Sequence, residues 1–341
     1  MELPSARGPI SSALTIALRS APHDFPPESI TVNETGDPLW DDDLQLALFI
    51  CYELHYRGWD EVSDDWEWQP GLLALRSRLE RRLEWGLRNL VGPLPGVQPA
   101  ALSASLKAVV EADDGPSLAK YIQTKASLEQ FREFVAHRSV YHLREADPHT
   151  WAIPRLEGQP KAALVEIQAD EYGGGQLDRM HSQLFRDTMT ELGMDATYGA
   201  YVEAVPAITL TANNLMSLFG LHRRWRGALL GHLAAFEMTS SLPNRRYGNG
   251  LRRLGGDAVA TRFYDEHVEA DAVHEQIAVH DMCATFVAIE PDLAADVVFG
   301  AGCALAADRL IAEHVLDCWR EGRTSLRQSL DLHPDTVGAS T

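Results

Sequence analysis

His267, Asp271 and His274 stand at the spacing of metal ligands on one helix. Position i+4 lies about 40° round a helix from i, and i+7 about 20° the other way. All three side chains therefore leave one face, spread over about 10.5 Å of axis. Imidazole and carboxylate on one stripe suit iron, manganese or zinc better than calcium or magnesium, which prefer oxygen. Asp271-x-x-His274 is also a shortened form of the Glu-x-x-His element that builds di-iron sites inside helical bundles. The chemistry expected here is that of a transition metal.

One helix cannot supply a two-metal site, so other carboxylates and another histidine must come from elsewhere. Glu237 is the leading candidate: Leu230, Leu233 and Ala234 stand at helical spacing from it, and an acid on an apolar face is costly unless paired or bound to metal. A salt bridge at the edge of that face is the plainer alternative. Glu171 and His181 flank Gly173-Gly174-Gly175. On an unbroken helix they would stand about 15 Å and 80° apart, but three glycines allow a kink that removes the objection. Taken alone, His181 also reads as an ordinary core or surface histidine. Glu145 falls in Tyr141–His149, where Pro148 is expected to end a helix. Spacing does not choose it over Asp147 or His149, nor over a solvated helix end.

Several look-alikes fail. His274-Glu275 opens like a zincin motif, but the next histidine is His280, so H-E-x-x-H is missing. Glu53 and His55 would project about 200° apart on a regular helix and cannot chelate together. Dinucleotide, P-loop and serine-hydrolase signatures are absent from the sequence.

The text that must position these residues reads as helix almost throughout. Residues 41–56 repeat Leu44, Ala47, Ile50, Cys51 and Leu54 at three-and-four spacing, and residues 71–90 repeat Leu72, Leu75, Leu79, Leu83 and Leu87. Further helices are predicted over 99–111, 116–143, 160–171, 176–193, 208–220, 222–241, 257–288 and 292–321, with Asp257 as an N-cap. Period-2 strand text is lacking. Residues 241–256 read as a turn-rich connector carrying Arg245, Arg246, Arg252 and Arg253. Those arginines either decorate a surface loop or attract a substrate carboxylate. Residues 1–35, rich in Pro, Ser and Gly, read as a poorly ordered lead-in, and residues 36–125 as an N-terminal helical region.

Composition sets the outer limits. A hydrophobic fraction of 45% and a charged fraction of 23% are those of a folded globular protein. A net charge of −19 argues against nucleic acid and anionic membranes as partners. Four scattered cysteines without C-x-x-C spacing exclude a zinc ribbon and a disulfide-stapled fold, and Cys283, Cys303 and Cys318, set in apolar helical text, read as buried free thiols. The apolar stretch at 13–18 is too short for a signal sequence, and the run at 293–307 is too short to span a bilayer. A cytoplasmic location is expected.

With these residues in hand, the chain resembles the haem-oxygenase-like di-iron oxidases and oxygenases, also described as iron-containing redox enzymes. The shared pattern is Glu171 with His181 on a first core helix, Glu237 on a second, and His267-x-x-x-Asp271-x-x-His274 on a third. The likeness covers about residues 120–320 and is closer still to the N-oxygenating branch, where Glu145 matches an additional upstream carboxylate. The resemblance implies an all-α, haem-oxygenase-like bundle over 126–325, preceded by an N-terminal helical extension that dimerises and followed by a tail at 326–341. It implies two iron ions, dioxygen as co-substrate, an external electron donor and a small-molecule substrate. The implied reaction is N-hydroxylation of an amine or guanidine through a peroxo-diferric intermediate, performed by a homodimer. C–C cleavage or desaturation of an amino or fatty acid is the alternative within the class. A non-catalytic iron or haem carrier is the alternative outside it.

Overall fold

The computed structural model describes residues 1–93 and 96–330, without the side chains of Ser29 and residues 269–272. Every regular element among the described residues is helical. The tail expected at 326–341 lies outside the described residues from position 331 onward.

Helix α1 (Pro9–Leu18) places its proline in the first turn, where a missing N–H costs nothing, and buries Ile10, Leu14 and Leu18. It corrects the reading of residues 1–35 as a poorly ordered lead-in. What composition hides is a non-local cap: the Asp43 carboxylate accepts the backbone N–H groups of Ile10 and Ser11. Asp43 belongs to α2 (Asp42–Glu53), itself started by Asp41, whose side chain accepts from Asp43 and Leu44. In α3 (Pro70–Val91) the leucine stripe is the buried face, and Gly92 at φ 72° ends the helix.

After α4 (Leu102–Glu111) the stretch predicted as one helix over 116–143 divides into α5 (Leu118–Thr124) and α6 (Leu128–His142). Ser127 and Gln130 form a capping box that restarts the chain. Then come α7 (Asp147–Thr150), α8 (Gly158–Glu171), α9 (His181–Glu191), α10 (Ala207–Leu221) and α11 (Arg226–Thr239). The predicted connector at 241–256 is instead α12 (Ser241–Arg253). Its glycines serve packing: a Cβ at Gly250 would press on the Ile122 carbonyl. Arg252 and Arg253 serve as fasteners rather than substrate hooks. Arg253 donates to the carbonyls of Gln123, Ile122 and Ala126 at the end of α5, and Arg252 pairs with Asp265. Asp257 caps α13 (Ala258–Gln276) as expected. The same helix runs on as a π-helical segment, Ile277–Ala284, before α14 (Thr285–Ile289) and α15 (Ala294–Arg320).

The centre of the bundle is α11 against α15. A Cβ on Gly231 would collide with the Val297 carbonyl, and one on Gly300 with the Ala228 carbonyl, so these two backbones nearly touch. Around that axis α10 packs on α2 and α15, α8 on the π-helical segment, and α9 and α12 on α13. All four cysteines are buried and free. Among the described residues no helix is long and apolar enough to cross a membrane.

Candidate metal centre

Two local backbone features aim the side chains inward. At the end of α8, Gly173, Gly174 and Gly175 take φ values of 62°, 61° and 79°, a left-handed run that only glycine adopts at little cost. A Cβ at Gly173 would collide with the Arg179–Met180 backbone. The chain doubles back here, and His181 opens α9 with Nδ1 2.9 Å from Glu171 Oε2. The second feature follows α6, which stops at His142. Ala146 takes φ 74°, a conformation non-glycine residues rarely hold, and its carbonyl accepts from Gln168 Nε2 at 2.9 Å. That turn buries Glu145, and Pro148 stands in the first turn of α7 instead of ending a helix.

These elements bring together two groups of donor atoms, each within 4.8 Å: Glu145, Glu171, His181 and His267, and Glu171, Glu237 and His274. Glu171 belongs to both. All six residues are buried. His267 Nδ1 lies 2.8 Å from the Phe263 carbonyl and can only donate there, which leaves Nε2 facing Glu145 Oε1 at 3.6 Å. His274 Nε2 meets Asp170 Oδ2 at 3.0 Å, while Nδ1 lies 3.4 Å from Glu237 Oε2. Asp271 lies in a stretch whose side chains are outside the described residues. The competing choices fall away: Asp147 accepts from Tyr172, and His149 pairs with His232, both outside the donor groups.

The electrostatics follow from three buried carboxylates among imidazoles. Burial works to raise the Glu145 carboxyl, but His142 and His267 outweigh it and hold the group well below the usual carboxylate range. Glu171 is lowered in the same way, burial being overcome by His181 while Glu145 opposes. Burial alone would lower His274; Glu237 and Asp170 instead raise it to about 9. Burial, then the charges of Glu145, Glu171 and Glu237, push the Tyr141 phenol up.

The donor set fits a transition metal on a specific observation. Glu145 Oε2, His181 Nδ1 and His274 Nδ1 are buried with no aligned hydrogen bond among the described residues, although carboxylate oxygens stand close to both ring nitrogens. Imidazole nitrogens and carboxylate oxygens gathered this closely, with one common carboxylate, form the pattern expected around cations. The site opens into a pocket of about 300 Å³ whose walls include Phe134, Tyr141, Phe236 and Tyr247, with the Arg138–Asp308 ion pair at 2.6 Å.

The sequence reading passes over Asp170 and His142. His142 Nδ1 lies 2.8 Å from Glu145 Oε1 and orients it. Its position three residues before Glu145 was the available signal. Asp170 holds His274 from a residue 104 positions away, for which no local signal exists.

Comparison with known proteins bears on this geometry. The family described as iron-containing redox enzyme matches residues 132–309. Nitrosourea synthase from Streptomyces achromogenes subsp. streptozoticus is 30% identical over 142 residues, which is 40% of this chain and 29% of that protein. The chain thus spans under a third of that relative's length.

Proposed function

The chain belongs to the iron-containing redox enzyme family and is an oxidoreductase, and from that premise we propose a non-haem di-iron oxygenase that oxidises the nitrogen of an amino-acid-like amine or guanidine. The observation that carries the reading is Glu171, one buried carboxylate common to two donor groups, which suits two ions held side by side. Glu145, Glu171, His181 and His267 would hold one ion, and Glu171, Glu237 and His274 the other, to which the helical spacing in the sequence would add Asp271. Iron bound there supplies open coordination positions and electrons for dioxygen, replenished by an external donor.

The rest belongs to the protein's own side chains. His142 and Asp170 fix the angles of Glu145 and His274. Phe134, Tyr141, Phe236 and Tyr247 give the pocket an apolar wall beside the donor groups. Arg138 and Asp308 offer one partner for a carboxylate and one for an ammonium, the two charges of an amino acid. Nitrogen as the oxidised atom is supported by the identity to a protein named for a nitrosourea product and by the inward position of Glu145.

The test is to supply the iron-loaded protein with a reductant, ¹⁸O₂ and a panel of amino acids and guanidines. One ¹⁸O on a nitrogen of the product is expected, and Arg138→Gln should raise KM about tenfold with kcat little changed, the loss of one charged hydrogen bond. Products shortened by a carbon–carbon cleavage, or iron oxidation with no product, would overturn the reading.

A further inference from the structure

Three buried histidines stand outside both donor groups and lie on one polar line through the core. His149 and His232 are each 1% exposed and His137 4%. Buried polar groups are retained when hydrogen-bonded or used. His149 lines the metal pocket beside Glu145 and Glu171 yet falls in neither donor group. Its Nε2 lies 3.1 Å from His232 Nδ1. Its Nδ1 is buried without a hydrogen-bond partner among the described residues.

His232 in turn lines a second cavity of about 40 Å³, whose walls include His137, Thr209 and Asn213. That volume accommodates a water or two. Asn213 Nδ2 donates to the Thr209 carbonyl at 2.9 Å, which leaves Oδ1 as a buried acceptor for such a water. On the far side, His137 Nδ1 lies 2.7 Å from Thr209 Oγ1, and Nε2 lies 3.1 Å from Ser325 Oγ. Ser325 Oγ donates to Glu133 Oε2 at 2.7 Å, so it accepts from His137 Nε2–H. Glu133 is half-buried, at the edge of the bundle.

We propose that His149, His232 and His137 form a proton-transfer line between Glu133 at the surface and the metal pocket. Each hop makes one N–H or O–H bond and breaks another, and only a proton passes. Each transfer leaves a ring with its hydrogen on the opposite nitrogen, so the line is reset when the rings and the Ser325 hydroxyl rotate and exchange that hydrogen with a neighbouring hydroxyl or water. Burial holds all three rings in the neutral form, which carries one donor and one acceptor nitrogen and can relay. The inference rests on the pocket being the place where dioxygen is reduced, because that reduction consumes protons.

The test uses the full metal-free chain labelled with ¹⁵N-histidine, and reads exchange of the His149 imidazole proton with solvent by NMR. Glu133→Gln and His137→Gln should each slow that exchange at least tenfold. In the iron-loaded protein, both should keep the wild-type iron content and enlarge the solvent deuterium effect on dioxygen consumption. If His137→Gln fails to fold, Ser325→Ala interrupts the line at its next link. Exchange at His149 equal to wild type in Glu133→Gln and Ser325→Ala would overturn the proposal. Because exchange is read without iron, a chain that takes up no iron would count against the functional reading and not against this result.

Discussion

The Glu145 side of the cluster and the Glu237 side are built differently, although Glu171 belongs to both. On the Glu145 side every donor is buried and each is oriented from within. His142 holds Glu145, the Phe263 carbonyl holds His267, and the glycine turn presses His181 on Glu171. On the Glu237 side His274 is held by Asp170, whose side chain is 64% exposed. One half is set by the core and the other by a surface carboxylate. The difference teaches that the two ions should bind with unequal affinity, the tighter on the Glu145 side, since pre-arranged ligands lose less freedom on binding.

The most severe way to probe that asymmetry is to remove what the sides share. Glu171→Ala should load less than about a tenth of the wild-type iron, because both donor groups fall below a workable ligand count. One tightly held iron in that variant would mean the groups are independent. Next in size, His267→Ala and Glu237→Ala should each leave about one iron per chain, with the survivor bound more weakly in His267→Ala, as equilibrium dialysis would show. Equal survivors would erase the proposed difference. Asp170→Asn should weaken only the Glu237-side ion, by about tenfold, in line with other changes to groups that orient a metal-bound histidine. A matching loss at the other ion would place Asp170 elsewhere in the account.

The smallest effect is on the metal-free protein. His274 is raised to about 9 by Glu237 and Asp170 against the effect of burial. A raised folded-state value contributes stability that is complete below the unfolded value near 6.5 and is lost as pH climbs through 9. On the order of 1 kcal/mol should therefore disappear between pH 6.5 and 9.5 in denaturant titrations, and His274→Asn should not show that loss. Glu145 behaves in the opposite sense: its lowered value contributes stability above the ordinary carboxylate range that is lost in acid.

Much of this arrangement is legible in the residues because it rests on local rules. The His267 and His274 stripe follows from helical period alone, and three glycines in a row announce the reversal that joins His181 to Glu171. Glu145 is less legible, since its inward turn depends on Ala146 at φ 74°, a conformation that nothing in its neighbours demands. The α12 helix runs against its own glycines and Pro243, and forms because those glycines let it approach α5 closely while Arg253 caps that helix. Asp170 with His274 and His149 with His232 are pairs made only by the fold, 104 and 83 positions apart in the chain.

The central claim, two ions sharing Glu171, is tested most directly by metal analysis after anaerobic loading with Fe(II) and removal of loosely held ions. The account predicts two irons per chain, released in two separate steps as a chelator is added. A single iron per chain, or two released together, would contradict it.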